Sequence, residues 1–523
     1  MNFIKFSLKN SLNLKNSKKN KFILYLMCRY TIPIFLIKKG EKMKEYKLYI
    51  NGEHVASSDN SVIDSINPFD GSVFAKVHLA SIADVEKAIS AAHKAQKIWA
   101  KTTPREKEAV LLKAAEIFDR RADEIREILM CESGSTIAKC NFEIGVVSDI
   151  FRVAAGEARR VHGSTFVSND ENVFSYAIRQ PLGVIAGISP FNAPMILSSK
   201  KFAFAIAAGN SFVLKPSSST PVCGLIFGEI FKEAGLPDGV LNIIPCSSKV
   251  LGETFQTDKR ISMITFTGST AVGSQIAQSA AKYMKKCTFE LGGKSPVIVL
   301  EDADVDFAVD TAFFGIFMHQ GQICMAGSRL LVHEKVYDAF CEKFAKKVNI
   351  LQVGDPRDPK TVIGPLIEQK QCAFIDSLVE DAKKKGARVL TGATHDGNCY
   401  KPTTIADVTP DMDIFSTEAF GPVAAITKIK SVDEAIELAN KSDYGLSGAV
   451  VTNNVANYLK CVEEVETGMI HVNGPTIQDE AHIPFGGVKM SGLGRESGQY
   501  SIEEMTELKW VTVEGMGNHK YPF

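Results

Sequence analysis

The chain has 523 residues, 45% apolar and 23% charged, which is an ordinary globular composition. Sixty basic residues against sixty acidic ones exclude the basic surface that nucleic acid demands, and 39 scattered glycines and 20 prolines exclude collagen-like and low-complexity chains. The length implies roughly two to four domains of about 100–200 residues, with core enough to need no disulfide or metal staple.

Residues 1–42 differ from the rest, with nine lysines, Arg29 and a single acid, Glu41. Their apolar run over 22–37 is broken by Arg29 and Pro33. It is shorter than the roughly 20 residues of a helical membrane span. No small-residue cleavage site follows it, as a signal peptide would require. The segment is expected to be a non-core extension, either upstream sequence or disordered. Met43 opens an ordinary soluble start, and no other window has the uncharged length of a span, so the body is expected to be soluble.

Apolar residues recurring at three and four (Val85, Ile89, Ala92, Ala95; Val110, Leu111, Ala114, Ile117, Phe118) predict amphipathic helices over 84–103 and 104–134. A strand is predicted over 173–180. Strand runs at 183–188, 211–214, 241–244 and 263–266 then alternate with helical patterns at 194–208, 221–233 and 271–285. Such alternation predicts a parallel, doubly wound sheet. A second series begins at 296–300. It continues through a helix over 304–318, a strand over 329–332, a helix over 335–349, and strands near 423–428 and 468–472. The two series meet near Gly292 and Gly293, and no repeat of fixed period is visible. The apolar strand 508–513 would be an aggregation-prone edge if left bare, so it is expected to pair with a neighbouring subunit's sheet.

The eleven cysteines are odd in number and form no C-x-x-C pair, which argues against zinc knuckles and thioredoxin-type redox sites; no metal is expected. Unpaired cysteines in a long chain point to a reducing, cytoplasmic compartment. Most read as small buried hydrophobes, with one a candidate nucleophile. The dinucleotide fingerprint G-x-G-x-x-G is absent. Leu291-Gly292-Gly293-Lys294-Ser295 ends like a P-loop, but Thr288 replaces the glycine such a loop needs. Gly268-Ser269-Thr270, with Gly273 one turn on, closes a strand and opens a helix, which fits either an anion site or a plain N-cap. Lys215 ends a parallel strand before Pro216, where a side chain can point into the ligand crevice or be a solvated surface lysine.

Four stretches carry more. They are Ser189-Pro190-Phe191-Asn192-Ala193-Pro194, Glu290-Leu291-Gly292-Gly293-Lys294-Ser295-Pro296, Gly321-Gln322-Ile323-Cys324, and Glu418-Ala419-Phe420-Gly421-Pro422, with Pro484-Phe485-Gly486-Gly487 further on. In this order, with Cys324 falling 34 positions after Glu290, they resemble the NAD(P)-dependent aldehyde dehydrogenase superfamily over about residues 49–513. The resemblance implies an α/β fold of two doubly wound parallel-sheet domains plus a small β oligomerisation arm. It divides the chain into a cofactor-binding domain (43–156 and 181–291), a thiol domain (292–504) and an arm and tail (157–180 and 505–523). It implies a homodimer or homotetramer, with a small aldehyde as partner and neither nucleic acid nor membrane.

By the same resemblance Cys324 is the nucleophile. A thiolate, a few per cent of the thiol near neutrality, adds to the aldehyde before hydride can leave. Asn192 and the Cys324 backbone N–H would hold the resulting alkoxide. Glu290 would activate the water that cleaves the thioester, and would help deprotonate Cys324; an apolar pocket would raise its pKa to suit. Lys215 is implied on the adenosine ribose, Ser269 on the pyrophosphate, Glu418 on the nicotinamide ribose and Phe420 beside the nicotinamide. Ser189, Pro190, Phe191, Gly268 and Gly292 complete that site. Many NAD-specific members carry a glutamate three residues after this lysine; here Ser218 stands there, so NADP is expected to be accepted beside NAD, neither held covalently.

The aldehyde tunnel maps to Phe191, Leu197, Ile323, Met325 and Phe485, nearly all apolar. Trp99 and Trp510, the only tryptophans, lie outside these stretches, which argues against a quaternary ammonium cage. The nearest arginine after Cys324 is Arg329, which argues against an anionic substrate. The stretches 318–325 and 473–482 look most like the benzaldehyde, salicylaldehyde and vanillin dehydrogenase branch, so an aromatic aldehyde is expected ahead of a small aliphatic one such as lactaldehyde. Other readings are a Cys–His hydrolase using His319, a non-catalytic member of the fold, and an acylating variant passing its thioester to coenzyme A, against which the retained Glu290 speaks.

Overall fold

Alternating apolar strands and helices condense into two parallel-rich sheets in the computed structural model, which describes residues 43–515. The 1–42 extension and residues 516–523 of the expected tail lie outside the described residues. The first sheet is eight-stranded. Its centre is parallel, in the order Lys286–Glu290, Ile261–Thr267, Val184–Ile188, Ser211–Lys215, Leu241–Ile243. Antiparallel strands Gly492–Leu493 and Leu48–Ile50 close its flanks, with Glu53–Val55 outermost beyond the latter. The second sheet has seven strands, in the order Arg388–Thr391, Thr403–Ala406, Val423–Ile429, Arg329–His333, Pro296–Val299, Ser447–Val451, Met469–Val472, parallel except at its first pair.

Helix Pro194–Ala207 is buried along its whole length, and its Phe202 joins Phe118, Phe151, Phe227 and Phe231 from neighbouring helices in a cluster of rings that meet mostly edge to face. Its N-terminal N–H groups at Met195 and Ile196 donate to Glu143, 52 and 53 residues upstream, and those at Val222 and Cys223 of the next helix, Pro221–Glu233, donate to Glu132. Both helices lack a side-chain cap of their own, and these distant carboxylates replace it. Burial pushes the Glu132 carboxyl up to about 7.

One expectation is corrected and two elements are added. The helix predicted over 104–134 is two, Pro104–Arg120 and Ala122–Ser133, because Arg121 leaves helical geometry (φ −92°, ψ 15°). Helix Ile137–Ala158 and strand Ser447–Val451 went unpredicted; the helix has little amphipathic contrast, because it is buried on several sides. The last strand runs antiparallel to its own chain's Val173–Pro181 over nine positions, with Ser164–Phe166 beyond the latter, so it is an edge strand whose outer side has no partner among the described residues. The two nine-residue strands match in length, so pairing within the chain satisfies one whole edge of the final strand.

Among the described residues no helix is long and apolar enough to cross a membrane.

Candidate active site

Two of the quoted stretches follow the carboxyl ends of first-sheet strands Val184–Ile188 and Lys286–Glu290, the place where open parallel sheets bind ligands, and the other two lead into second-sheet strands Arg329–His333 and Val423–Ile429. Strand Val184–Ile188 runs into Ser189-Pro190-Phe191-Asn192, and the Ser189 N–H donates to the Lys215 carbonyl of the next strand (3.1 Å). Asn192 is buried, and its Nδ2 donates to the backbone carbonyl of Gln322 at 2.8 Å, two residues before Cys324.

The loop carrying Cys324 is held by its backbone shape. A tight turn at Met318–Gly321 places His319 (φ 49°) and Gln320 (φ 56°) in consecutive left-handed conformations. Such residues persist only where the surroundings hold them. Gln320 donates to the Gly134 and Pro365 carbonyls, and Gln322 accepts from the Ile367 N–H. A β-carbon on Gly293 would collide with the Cys324 carbonyl oxygen. Gly293→Ala is therefore expected to displace the Cys324 backbone and lower thermal stability by about 1–3 kcal/mol, with a fall in steady-state oxidation. Calorimetry and rate measurement check this; an unchanged pair of values would show that the loop yields freely.

Glu290 ends strand Lys286–Glu290. Its carboxyl is 2% exposed, Oε2 has no hydrogen-bond partner, and it forms no ion pair among the described residues. Gly486 leaves room for it, since a β-carbon there would stand 2.9 Å from Glu290 Oε1. Burial first, then the Glu496 carboxylate, pushes the Glu290 carboxyl well above its ordinary range, against the pull of Lys201, Lys200 and Arg495. An apolar pocket alone was expected to do this; the charged neighbours are additional. Burial, then Glu290 and Glu418, pushes the Cys324 thiol up as well. This corrects the expectation of a few per cent thiolate: here the free thiol is more fully protonated than an ordinary cysteine.

On the opposite side of Gly293, its N–H donates to Glu418 Oε1 (3.0 Å), and a β-carbon on Gly292 would press on Glu418 Oε2. Burial pushes Glu418 up to about 7 and brings Lys294 down to about 7. Lys294 Nζ is buried with no partner. Phe420 has a left-handed φ of 45° and meets Phe191 edge to face at 5.9 Å. Lys215 is 6% exposed, and among the described residues its ammonium bonds only the adjoining Pro216 carbonyl at 3.3 Å, so it is not the solvated lysine of the plainer reading. Ser269 sits exposed at the N-cap of helix Thr270–Ala281 without a side-chain capping bond, next to Gly268, which leaves its hydroxyl free. Ser218 is exposed beyond Lys215.

Met325, Leu446, Met469, Ile477 and Phe485 form one apolar cluster, against which Met318, Ile323 and Cys324 pack; Leu197 is buried on helix Pro194–Ala207, outside that cluster. Arg329 is tied to the Lys294, Leu438 and Ala439 carbonyls and faces no substrate. His319 is buried with both ring nitrogens unpartnered, so it forms no hydrogen-bonded dyad with Cys324. Sequence reading missed Lys201, Glu496, Lys200 and Asp479. Lys201 pairs with Glu496 (2.7 Å) and Lys200 with Asp479 (2.6 Å), all four largely buried. Two adjacent lysines inside the apolar run 194–208 were the available signal. No three His, Cys, Asp or Glu side chains cluster as a metal site among the described residues.

The model described as the aldehyde dehydrogenase family matches residues 54–511. The chain belongs to that family. The resemblance read from the four stretches is thereby borne out. Relatives include a benzaldehyde dehydrogenase of Bacillus subtilis, 43% identical over 90% of this chain and 97% of that protein. A vanillin dehydrogenase of Pseudomonas fluorescens is 38% identical over 92% of this chain and all of that protein. A solved salicylaldehyde dehydrogenase of Pseudomonas putida G7, complexed with salicylaldehyde, superposes with a TM-score of 0.90 at 38% identity, covering 92% of this chain and 100% of that one. The α/β class expected from the sequence agrees with that superposition.

An aldehyde dehydrogenase of this family needs a nicotinamide dinucleotide, and the residues present fit one. A buried lysine without a strong partner, an uncapped helix N-terminus with a free hydroxyl, and a carboxylate that lies against two glycines and takes only the Gly293 N–H are donors and an acceptor with capacity to spare.

Proposed function

We propose that the chain oxidises an aromatic aldehyde to its carboxylic acid with NAD or NADP, an activity of class EC 1.2.1, through a thiohemiacetal and a thioester on Cys324. The observation that carries this is the convergence of Asn192, bonded to the Cys324 loop, and the unpartnered Glu290 carboxyl on one half-buried thiol. The Cys324 thiol gives up its proton to water, the sulfur pair so freed forms the bond to the carbonyl carbon, and the carbonyl π pair becomes the alkoxide. Asn192 Nδ2 has two N–H donors; one holds the Gln322 carbonyl and the other is left for that alkoxide, beside the Cys324 N–H. When bound, the nicotinamide supplies the acceptor for the hydride leaving that carbon. Glu290 then takes a proton from water, which attacks the thioester; the carbon–sulfur bond breaks and the thiol is restored.

Cofactor contacts are assigned to Ser189, Pro190, Phe191, Lys215, Ser218, Gly268, Ser269, Gly292, Glu418 and Phe420, with the first sheet as cofactor-binding domain and the second as thiol domain. Their common position along the crevice supports this. The aromatic substrate is supported by the relatives above and by the apolar cluster around Phe485. The arm strands carry exposed Phe174, Leu508, Trp510 and Val513, which supports a homodimer or homotetramer built on them. Ten free cysteines among the described residues support a reducing, cytoplasmic setting.

Ser218 carries no charge to repel a 2′-phosphate. Ser218→Glu is expected to move the NADP-to-NAD ratio of kcat/KM at least about tenfold toward NAD, through like-charge repulsion. An unmoved ratio removes Ser218 from the choice. The function itself is tested with a panel of aromatic and aliphatic aldehydes and both cofactors, read by the absorbance of reduced nicotinamide. Benzaldehydes are expected to give the highest kcat/KM; a higher value for short aliphatic aldehydes overturns the aromatic assignment.

A further inference from the structure

Lys200 and Asp479 are buried charges that the proposed chemistry does not use. Lys200 is fully buried on helix Pro194–Ala207, and Nζ donates to Asp479 Oδ1 at 2.6 Å. The same Nζ lies 4.0 Å from the centre of the Phe485 ring, which packs in the cluster holding Met325, Ile323 and Cys324. The pair also feels the reacting groups, since Lys200 draws the Glu290 carboxyl down and Asp479 pushes the Cys324 thiol up. The pair therefore borders the apolar cluster that packs against the thiol.

Burying an ion pair in an apolar wall is costly, and hydrophobic residues of similar volume would be at least as stable there. The arrangement has a chemical use. An ammonium has three donors; one reaches Asp479, and the ring face lies under the cation. Asp479 Oδ2 takes part in no hydrogen bond among the described residues. The pair thus offers a donor and an acceptor side by side with no net charge. A hydroxyl matches it, accepting from Nζ and donating to the carboxylate. A carboxylate substituent would face Asp479, and a cationic one would face Lys200. We propose that Lys200 and Asp479 are specificity-determining residues that select aromatic aldehydes bearing a ring hydroxyl. This rests on the aromatic reading above and names the substituent that reading leaves open.

The test compares ortho-, meta- and para-hydroxybenzaldehyde with the methylbenzaldehydes of the same position, using the full chain and nicotinamide cofactor. At one ring position the native chain is expected to favour hydroxyl over methyl by at least about tenfold in kcat/KM, because a methyl offers nothing to the remaining Nζ donors or to Asp479 Oδ2. The Lys200→Met/Asp479→Leu double variant replaces the pair with apolar side chains, so neither charge is orphaned, and is expected to lose that preference. A native ratio below tenfold at every position, a preference for carboxybenzaldehyde over hydroxybenzaldehyde, or a ratio retained in the double variant overturns the proposal. If the double variant does not fold, the native comparison decides. Benzaldehyde against hexanal checks the aromatic reading separately, because neither carries a hydroxyl.

Discussion

Cys324→Ala is expected to lose steady-state aldehyde oxidation by about 10⁴-fold or more, the scale seen when an enzyme loses its nucleophile. With no sulfur to add, the carbonyl carbon stays trigonal and cannot release hydride readily, and neither Asn192 nor Glu290 can replace a missing bond. The other free cysteines cannot substitute. Burial pushes Cys131, Cys140, Cys223 and Cys246 up too, and none lies beside the Asn192–Gln322 bond. The substitution removes one atom from a half-buried position, so the unfolding temperature should stay near that of the parent. The check is the rate of nicotinamide reduction alongside thermal unfolding. A variant within tenfold of the parent rate would end the assignment of the thiol.

Glu290→Gln should divide the reaction in two. Thiol addition and oxidation proceed once, giving a burst of about one reduced nicotinamide per subunit. The following steady-state rate should fall by about 10²–10⁴-fold, the contribution of a positioned general base. The pH dependence has a definite sign. The folded carboxyl is held well above its ordinary range by burial and Glu496, and only its ionised form accepts a proton from water. The parent rate should therefore climb as pH rises toward the folded pKa and level off beyond it. Glutamine carries no such group, so the variant should lose that rising limb. Rapid-mixing kinetics and a pH profile check both parts. Full turnover with an unchanged profile would remove Glu290 from deacylation.

The site was readable in sequence wherever its parts are local. Asn192 sits in a Pro-flanked turn after an apolar run, and Glu290 ends another run before two glycines, so each residue's place follows from its neighbours. The buried ion pairs were not readable, because they join residues 279 and 295 positions apart. In a helix written Ser-Ser-Lys-Lys-Phe-Ala-Phe, only the packed structure shows that the lysines point inward to carboxylates rather than outward to water. The break at Arg121 was equally hidden, since no glycine or proline marks it, and Gly321 marks a turn without showing that His319 and Gln320 before it are left-handed too.

By itself the sequence determined the alternating strands and helices, the family, and the thiol, amide and carboxylate on which the chemistry depends, because apolar periodicity and short motifs are local properties of a chain. The tertiary structure decided the protonation tendencies of Cys324, Glu290 and Glu418, the partners of Lys200 and Lys201, and the pairing of the last described strand. Those depend on what burial removes from water and on which distant charges it leaves face to face.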